Sequence, residues 1–233
     1  MLVLNYYYIN SMNSPLSILK KSAFLLVTLC ALNSSSWGYT LLTNLNGNDG
    51  ASGQVTNTQY RGVTFTSLAA QDVLTVTVRL GGFQTGDMDS LSIHVDNGGA
   101  PGDRVGQNFT EPAGSDGISN FTFTPNGTVS LSASTTYWLI TKGNSGKTFD
   151  WYRNAGDGGA ITPTTTDYAS FGAEKISTNS GSNWTTGSSG AHSFAITAVP
   201  EPSTYLAAGL ITSIFGLSWV RTRLRKSKTS TVA

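Results

Sequence analysis

From about residue 60 to residue 199, apolar and polar side chains alternate. Val73-Leu-Thr-Val-Thr-Val-Arg-Leu80 sets the pattern. It recurs in Leu91-Ser-Ile-His-Val95, Ile118-Ser-Asn-Phe-Thr-Phe-Thr124, Thr128-Val-Ser-Leu131, Thr136-Tyr-Trp-Leu-Ile-Thr141 and His192-Ser-Phe-Ala-Ile-Thr-Ala-Val199. A period of two puts every second side chain on one face of an extended chain, so each run predicts a strand with one buried and one wet face. The runs are rich in Val, Ile, Thr and aromatic residues and are bounded by Gly, Asn, Asp and Ser clusters, as strands are. Shorter candidates lie at 39–45, 60–66, 149–152 and 175–178. No stretch away from the chain ends carries a helical period, and no internal repeat is visible. About eight to ten strands joined by polar turns predict an all-β domain, an antiparallel β-sandwich of jelly-roll type.

Both ends break this pattern. Lys20 and Lys21 precede an apolar run from Ser22 to Leu32, which is short for a membrane span but suits the core of an export signal. Ser36 and Gly38 are small residues at the places required for cleavage before Tyr39. Residues 1–38 are therefore expected to be a signal peptide, with Met12 as an alternative start, and 39–198 the folded domain. Residues 199–233 form a tail in three parts. Val199-Pro-Glu-Pro202 comes first, followed by eighteen uncharged residues from Ser203 to Val220 and then Arg221, Arg223, Arg225 and Lys226. As a helix the uncharged run would span ~27 Å, close to the ~30 Å hydrocarbon core. Tyr205 and Trp219 stand near its ends, where amphipathic rings favour the interface, and the basic cluster is expected to stay cytoplasmic. The expected topology is a domain outside the cytoplasm, anchored by a C-terminal transmembrane helix.

This tail resembles a PEP-CTERM sorting signal, a motif, span and Arg-rich end found in Gram-negative bacteria that make extracellular polysaccharide. The resemblance implies that Pro200, Glu201 and Pro202 are the recognition motif, that exosortase is the partner, and that the tail is removed there. The protein would then be held at the inner membrane before sorting and reach the cell surface or matrix afterwards. The motif suits that role, because two prolines fix φ, disfavour helix and keep the segment extended. Several pieces of the domain resemble the choice-of-anchor β-domains, most nearly type R. They are Leu42-Thr-Asn-Leu45, Val76-Thr-Val78, Val95-Asp-Asn-Gly-Gly-Ala-Pro-Gly102, Thr135-Thr-Tyr-Trp-Leu139 and Phe194-Ala-Ile196. That resemblance implies anchoring at a surface and carries no catalytic residues with it.

Charge and cysteine content narrow the function. The chain is formally +1, but residues 39–199 hold seven Lys or Arg against twelve Asp or Glu, a net of −5. An acidic domain argues against nucleic acid, whose binding rests on neutralised phosphates. The single cysteine, Cys30, falls in the signal peptide, so the domain has no thiol for a disulfide, a metal site or a nucleophile.

Candidate chemistry is sparse. Gly143-Asn-Ser-Gly-Lys-Thr148 resembles the end of a phosphate-binding loop, but Thr141 stands where the first glycine belongs and no helix follows; a hairpin turn accounts for it. Asp96, Asn97 and Asp103 pack oxygen ligands into a Gly-rich loop, a weak calcium candidate that also reads as a plain turn. His94 and His192 stand alone, without a metal-ligand spacing. Asp87, Asp89, Asp150 and Asp157 are available for a glycosidase pair only if the fold brings two together. Trp138, alternating within its strand, reads as core. Trp151 and Trp184 adjoin loops and are the candidates for a ligand platform. No cofactor-binding signature is present. The sequence thus predicts an exported, non-enzymatic surface or matrix protein, structural or adhesive among polysaccharides. A carbohydrate-binding module is the alternative, and a hydrolase the more distant one.

Overall fold

In the computed structural model, residues 38–45, 48–156, 159–187 and 191–201 are described. The expected signal peptide before Gly38, and the tail from Pro202 onward with its apolar run and basic cluster, lie outside the described residues.

The chain forms strands β1 (Tyr39–Thr43), β2 (Asn48–Val55), β3 (Tyr60–Ser67), β4 (Gln71–Gly81) and β5 (Met88–Asp96). Then come β6 (Pro101–Arg104), β7 (Phe109–Thr110), β8 (Ile118–Pro125), β9 (Ser130–Leu131) and β10 (Thr135–Gly143). The last five are β11 (Phe149–Gly156), β12 (Gly159–Ala160), β13 (Ala169–Ser177), β14 (Thr185–Thr186) and β15 (Phe194–Pro200). Every pairing is antiparallel. One sheet runs β1-β15-β4-β11-β12, with β2 on β11, β8 and β9 on β4, and β7 on β8. The other runs β14-β13-β3-β10-β5-β6. The domain is all-β, as the alternation predicted, and the two sheets share one core.

Alternate residues of each sheet fill that core. The first sheet contributes Val76, Val78, Leu80, Phe121, Phe123 and Ile196; the second contributes Val63, Phe65, Leu91, Ile93, Tyr137 and Leu139. Phe83 closes one part of it, edge-on to Phe121 at 4.8 Å and to Phe149 at 5.4 Å between ring centres, a favoured aromatic geometry.

Several strands depart from simple alternation, β1 and β10 among them. A register shift between Thr40 and Leu42 lets neighbouring Leu41 and Leu42 both be fully buried, as a bulge allows. On β10, Tyr137 through Thr141 are all buried, which corrects the expectation of one wet face per strand. Tyr137 and Leu139 point into the core, while Trp138 and Ile140 are buried outside it, on the opposite face. That outer face has its own cover. The Trp184 ring meets Trp138 edge-on at 5.3 Å, and Lys175 Nζ lies 5.5 Å over the Trp138 ring.

Candidate functional site: an aromatic and basic groove on the outer sheet face

The strand register assembles the site. On the outer face of β10, Trp138, Ile140 and Lys142 follow one another. Across from them, β5 presents His94, Ser92 and Ser90, and Arg104 on β6 pairs with His94. On the other side of β10, Gly62 of β3 pairs with Ile140. A Cβ at residue 62 would press on the Leu139 carbonyl oxygen of β10 at 3.0 Å and meet Trp184 only at an ordinary 3.6 Å contact. The result is a groove of about 620 Å³, walled by Tyr60, Trp184 and the loop at Gly181 and Ser182 on one side and by Pro101, Arg104 and Asn108 on the other. That volume is in the range of small-molecule and oligomer sites.

The platform loop is tied down, although its Ser/Gly-rich sequence reads as low complexity. Ser177 Oγ accepts the Gly181 amide at 2.9 Å and donates to Asn179 Oδ1 at 2.9 Å. Asn179 Oδ1 also accepts the Asn183 amide at 2.9 Å. Ser180, at φ 59°, donates its amide to Thr58 O at 2.9 Å. Gly181 has φ +84°, and a Cβ there would stand 3.1 Å from the Tyr60 ring. Both its conformation and its closeness to that ring therefore require glycine. Trp184 Nε1 donates to Gly181 O at 3.1 Å, so the indole's polar edge is satisfied and its ring is what it offers outward. The Tyr60 ring lies 6.5 Å away.

Polar groups complete the groove. Lys142 Nζ stands 5.1 Å over the Tyr60 ring and 3.4 Å from Asp89 Oδ2. Arg104 Nη1 donates to Asn108 Oδ1 at 2.8 Å. His94 is held neutral. Its Nδ1 faces Gly102 O at 2.9 Å, and a carbonyl only accepts, so Nδ1 carries the proton and Nε2 accepts from Ser92 Oγ at 3.0 Å. Burial pushes its pKa below the ordinary value, against the opposing pull of the Gly102 carbonyl.

The other expected site residues fall elsewhere. Trp151 is not a platform. It is fully buried, stacks on His192 at 4.8 Å, and donates Nε1 to Ser193 O at 2.9 Å. The strand register turns it inward, and position beside a loop could not reveal that. Asp96 is committed as a turn residue: Oδ1 accepts Trp138 Nε1 at 2.6 Å and Oδ2 accepts the Gly99 amide at 3.2 Å. Asn97 closes the same hairpin through its amide to Ala100 O at 2.8 Å, and Asp103 is an exposed residue of β6. Among the described residues no group of three or more His, Cys, Asp or Glu side chains is placed to hold a metal ion. Gly143–Thr148 is a tight turn but not the expected hairpin: it carries the chain from β10 in one sheet to β11 in the other, with Lys147 N donating to Asn144 O at 3.1 Å and Gly146 at φ 73°. Asp87 pairs with Lys147 at 3.4 Å and Asp89 with Lys142, while Asp157 lies outside the described residues. Pro200 ends β15 opposite Gln71, and Glu201 follows directly.

His192 is not alone. It belongs to a buried cluster that links the two sheets. Arg153 of β11 grips Glu174 of β13 with Nε at 3.0 Å and Nη2 at 2.6 Å. His192 Nε2 stands 2.9 Å from Glu174 Oε1, near enough for electrostatic contact but off the line a ring N–H bond needs. Burial by itself would raise the Glu174 pKa; His192 and Arg153 outweigh it and hold the carboxyl down at about 2. Burial lowers the pKa of His192 despite Glu174. The register shift between Phe171 and Glu174 sits at this carboxylate. Sequence spacing did not reveal the cluster, because its members come from three distant segments. Tyr60, Arg104, Asn108 and Lys142 were likewise missed as a group; only Trp184 carried a signal.

No protein-family model matches this chain, and a search of curated proteins finds no match.

Proposed function

We propose that this is an exported, non-enzymatic protein of a bacterial surface or extracellular matrix, and that its folded domain adheres to polysaccharide through the outer groove. The observation that carries the reading is the Trp184 and Tyr60 platform set beside hydroxyl, amide and charged groups in one open groove. Aromatic rings offer large flat surfaces for the apolar faces of sugars, and polar groups at the rim satisfy hydroxyls. This moves the carbohydrate-binding alternative ahead of a purely structural role and keeps it within the same matrix setting. A jelly-roll-like path belongs to the proposal, supported by a chain that passes from β4 to β5, from β10 to β11 and from β13 to β15 between the sheets.

Delivery rests on the terminal segments. The reading is a signal peptide at 1–38, a transmembrane helix within 203–220, and exosortase acting at Pro200-Glu-Pro202. It is supported by β15, the last strand among the described residues, which ends at Pro200, so the motif begins in the final residue of that strand with no linker between.

The test of the groove is glycan binding by the full-length chain in detergent. The wild type is expected to be retarded in gels cast with bacterial exopolysaccharide. Trp184→Ala, which removes the platform, is expected to lose about tenfold or more in affinity, the scale of an interface hot spot. Equal retardation of wild type and variant would contradict the reading.

A further inference from the structure

We infer that the groove is built for an acidic glycan, a linear chain of uronic acids whose carboxylates pair with Arg104 and Lys142 while sugar rings pack on Trp184 and Tyr60. This rests on the carbohydrate reading above and specifies its ligand class.

Three observations lead there. First, the groove's charge is opposite to that of its domain. Its lining holds two cations, Arg104 and Lys142, against one carboxylate, Asp89, and a neutral His94, in a domain whose net charge is −5. Second, the cations have capacity to spare. Arg104 is exposed, gives one bond to the Asn108 amide oxygen, and makes no ion pair among the described residues. A guanidinium has five N–H donors in a fork that matches a carboxylate. Lys142 is held by the Asp89 pair at 3.4 Å and by the Tyr60 ring at 5.1 Å, contacts of small worth at an open site that a ligand carboxylate can exchange with.

Third, the register separates the two cations. Arg104 lies opposite His94, which lies opposite Trp138, whereas Lys142 lies opposite Ser90. Their backbones are thus two strands and four residues apart, roughly 10 Å across the sheet and ~13 Å along it. A single sugar acid does not fill both positions, but a repeating acid does. The Trp184 and Tyr60 rings on the wall opposite Arg104 favour a polysaccharide over an acidic peptide, and Trp184 has already spent its N–H on Gly181.

The experiment is calorimetric titration of the full-length chain in detergent with four probes: an alginate hexamer, galacturonic acid monomer, a neutral glucan hexamer and poly-glutamate of similar length. The expected result is binding of the alginate hexamer at least about tenfold tighter than each of the other three. Arg104→Gln is expected to lose about tenfold for alginate, the worth of one charged hydrogen bond. Its exposed position leaves the fold intact, which an unchanged melting temperature checks. Equal binding of the neutral hexamer would overturn the acidic preference and leave the carbohydrate reading standing. Equal binding of poly-glutamate would replace the sugar acid with an acidic peptide. If the monomer matched the hexamer, the two-cation geometry would fall. Binding of none of the four would overturn this inference, and neutral and acidic exopolysaccharides both failing in the gel assay would overturn the carbohydrate reading itself.

Discussion

Glu174 is buried, ionised and shared between Arg153 and His192. Removing one partner of a buried pair leaves a charge without compensation, which costs about 3–5 kcal/mol. Arg153→Met is therefore expected to lower the urea-unfolding free energy of the full-length chain by roughly that amount, a large share of a typical domain's stability. The same cluster sets an acid limit. Both folded-state pKa values are depressed, so the stability they contribute is present at high pH and lost as pH falls. For His192 the loss begins below its ordinary value of 6.5, because the buried neutral ring must charge. For Glu174 it follows between 4.5 and about 2. Unfolding midpoints measured from pH 8 to pH 3 are expected to fall in that order. Glu174→Gln should start lower at pH 8 and decline less steeply below pH 4.5. A flat wild-type profile across this range would contradict the account.

At the scale of elements, the loop between β13 and β14 decides whether the groove exists. Its Ser177 and Asn179 bonds hold Trp184 over Gly62, and its Gly181 rests on Tyr60 at positive φ. Gly181→Ala is expected to cost about 1–2 kcal/mol in left-handed backbone strain and to push against the Tyr60 ring. Thermal melting should show a modest loss, and glycan affinity a larger relative one; unchanged affinity would mean that the loop is not the platform's support. Much of the strand framework was legible, because β4 alternates cleanly from Val76 to Leu80 and the core residues Leu91 and Ile93 of β5 stand two apart, although a register shift turns Leu74 outward between Val73 and Val76. The sidedness of Trp138 was not. Period two reports that neighbouring residues face opposite ways, and cannot say that a distant loop will bury the outer face as well. The bulges at Leu41 and near Glu174 were hidden for a related reason. They insert a residue into one strand to meet packing demands set by another, which leaves no local pattern. Trp184 stood out as an aromatic in a polar stretch, yet its neighbours in space, Tyr60 and Lys142, come from strands far apart in sequence.

At the scale of the whole molecule, the proposed route to the surface and the groove are separable. If Glu201 belongs to a sorting motif, Glu201→Ala should leave a full-length, membrane-associated species in the host, while the wild type yields material with an altered C-terminal mass. Intact mass of both proteins checks this, and identical processing would remove the sorting reading without touching the groove. The groove in turn predicts that adhesion survives in whatever form the domain reaches the matrix, because each groove residue lies between Tyr60 and Trp184, before the tail begins. The central claim is that the outer face of the second sheet is the working surface. Backbone amide shift mapping of the isotope-labelled full-length chain in detergent, titrated with an alginate hexamer, tests it most directly. The account predicts shifts concentrated at Tyr60, Ser90 to His94, Arg104, Lys142 and Gly181 to Trp184. Shifts confined to the opposite sheet, or none at saturating glycan, would contradict it.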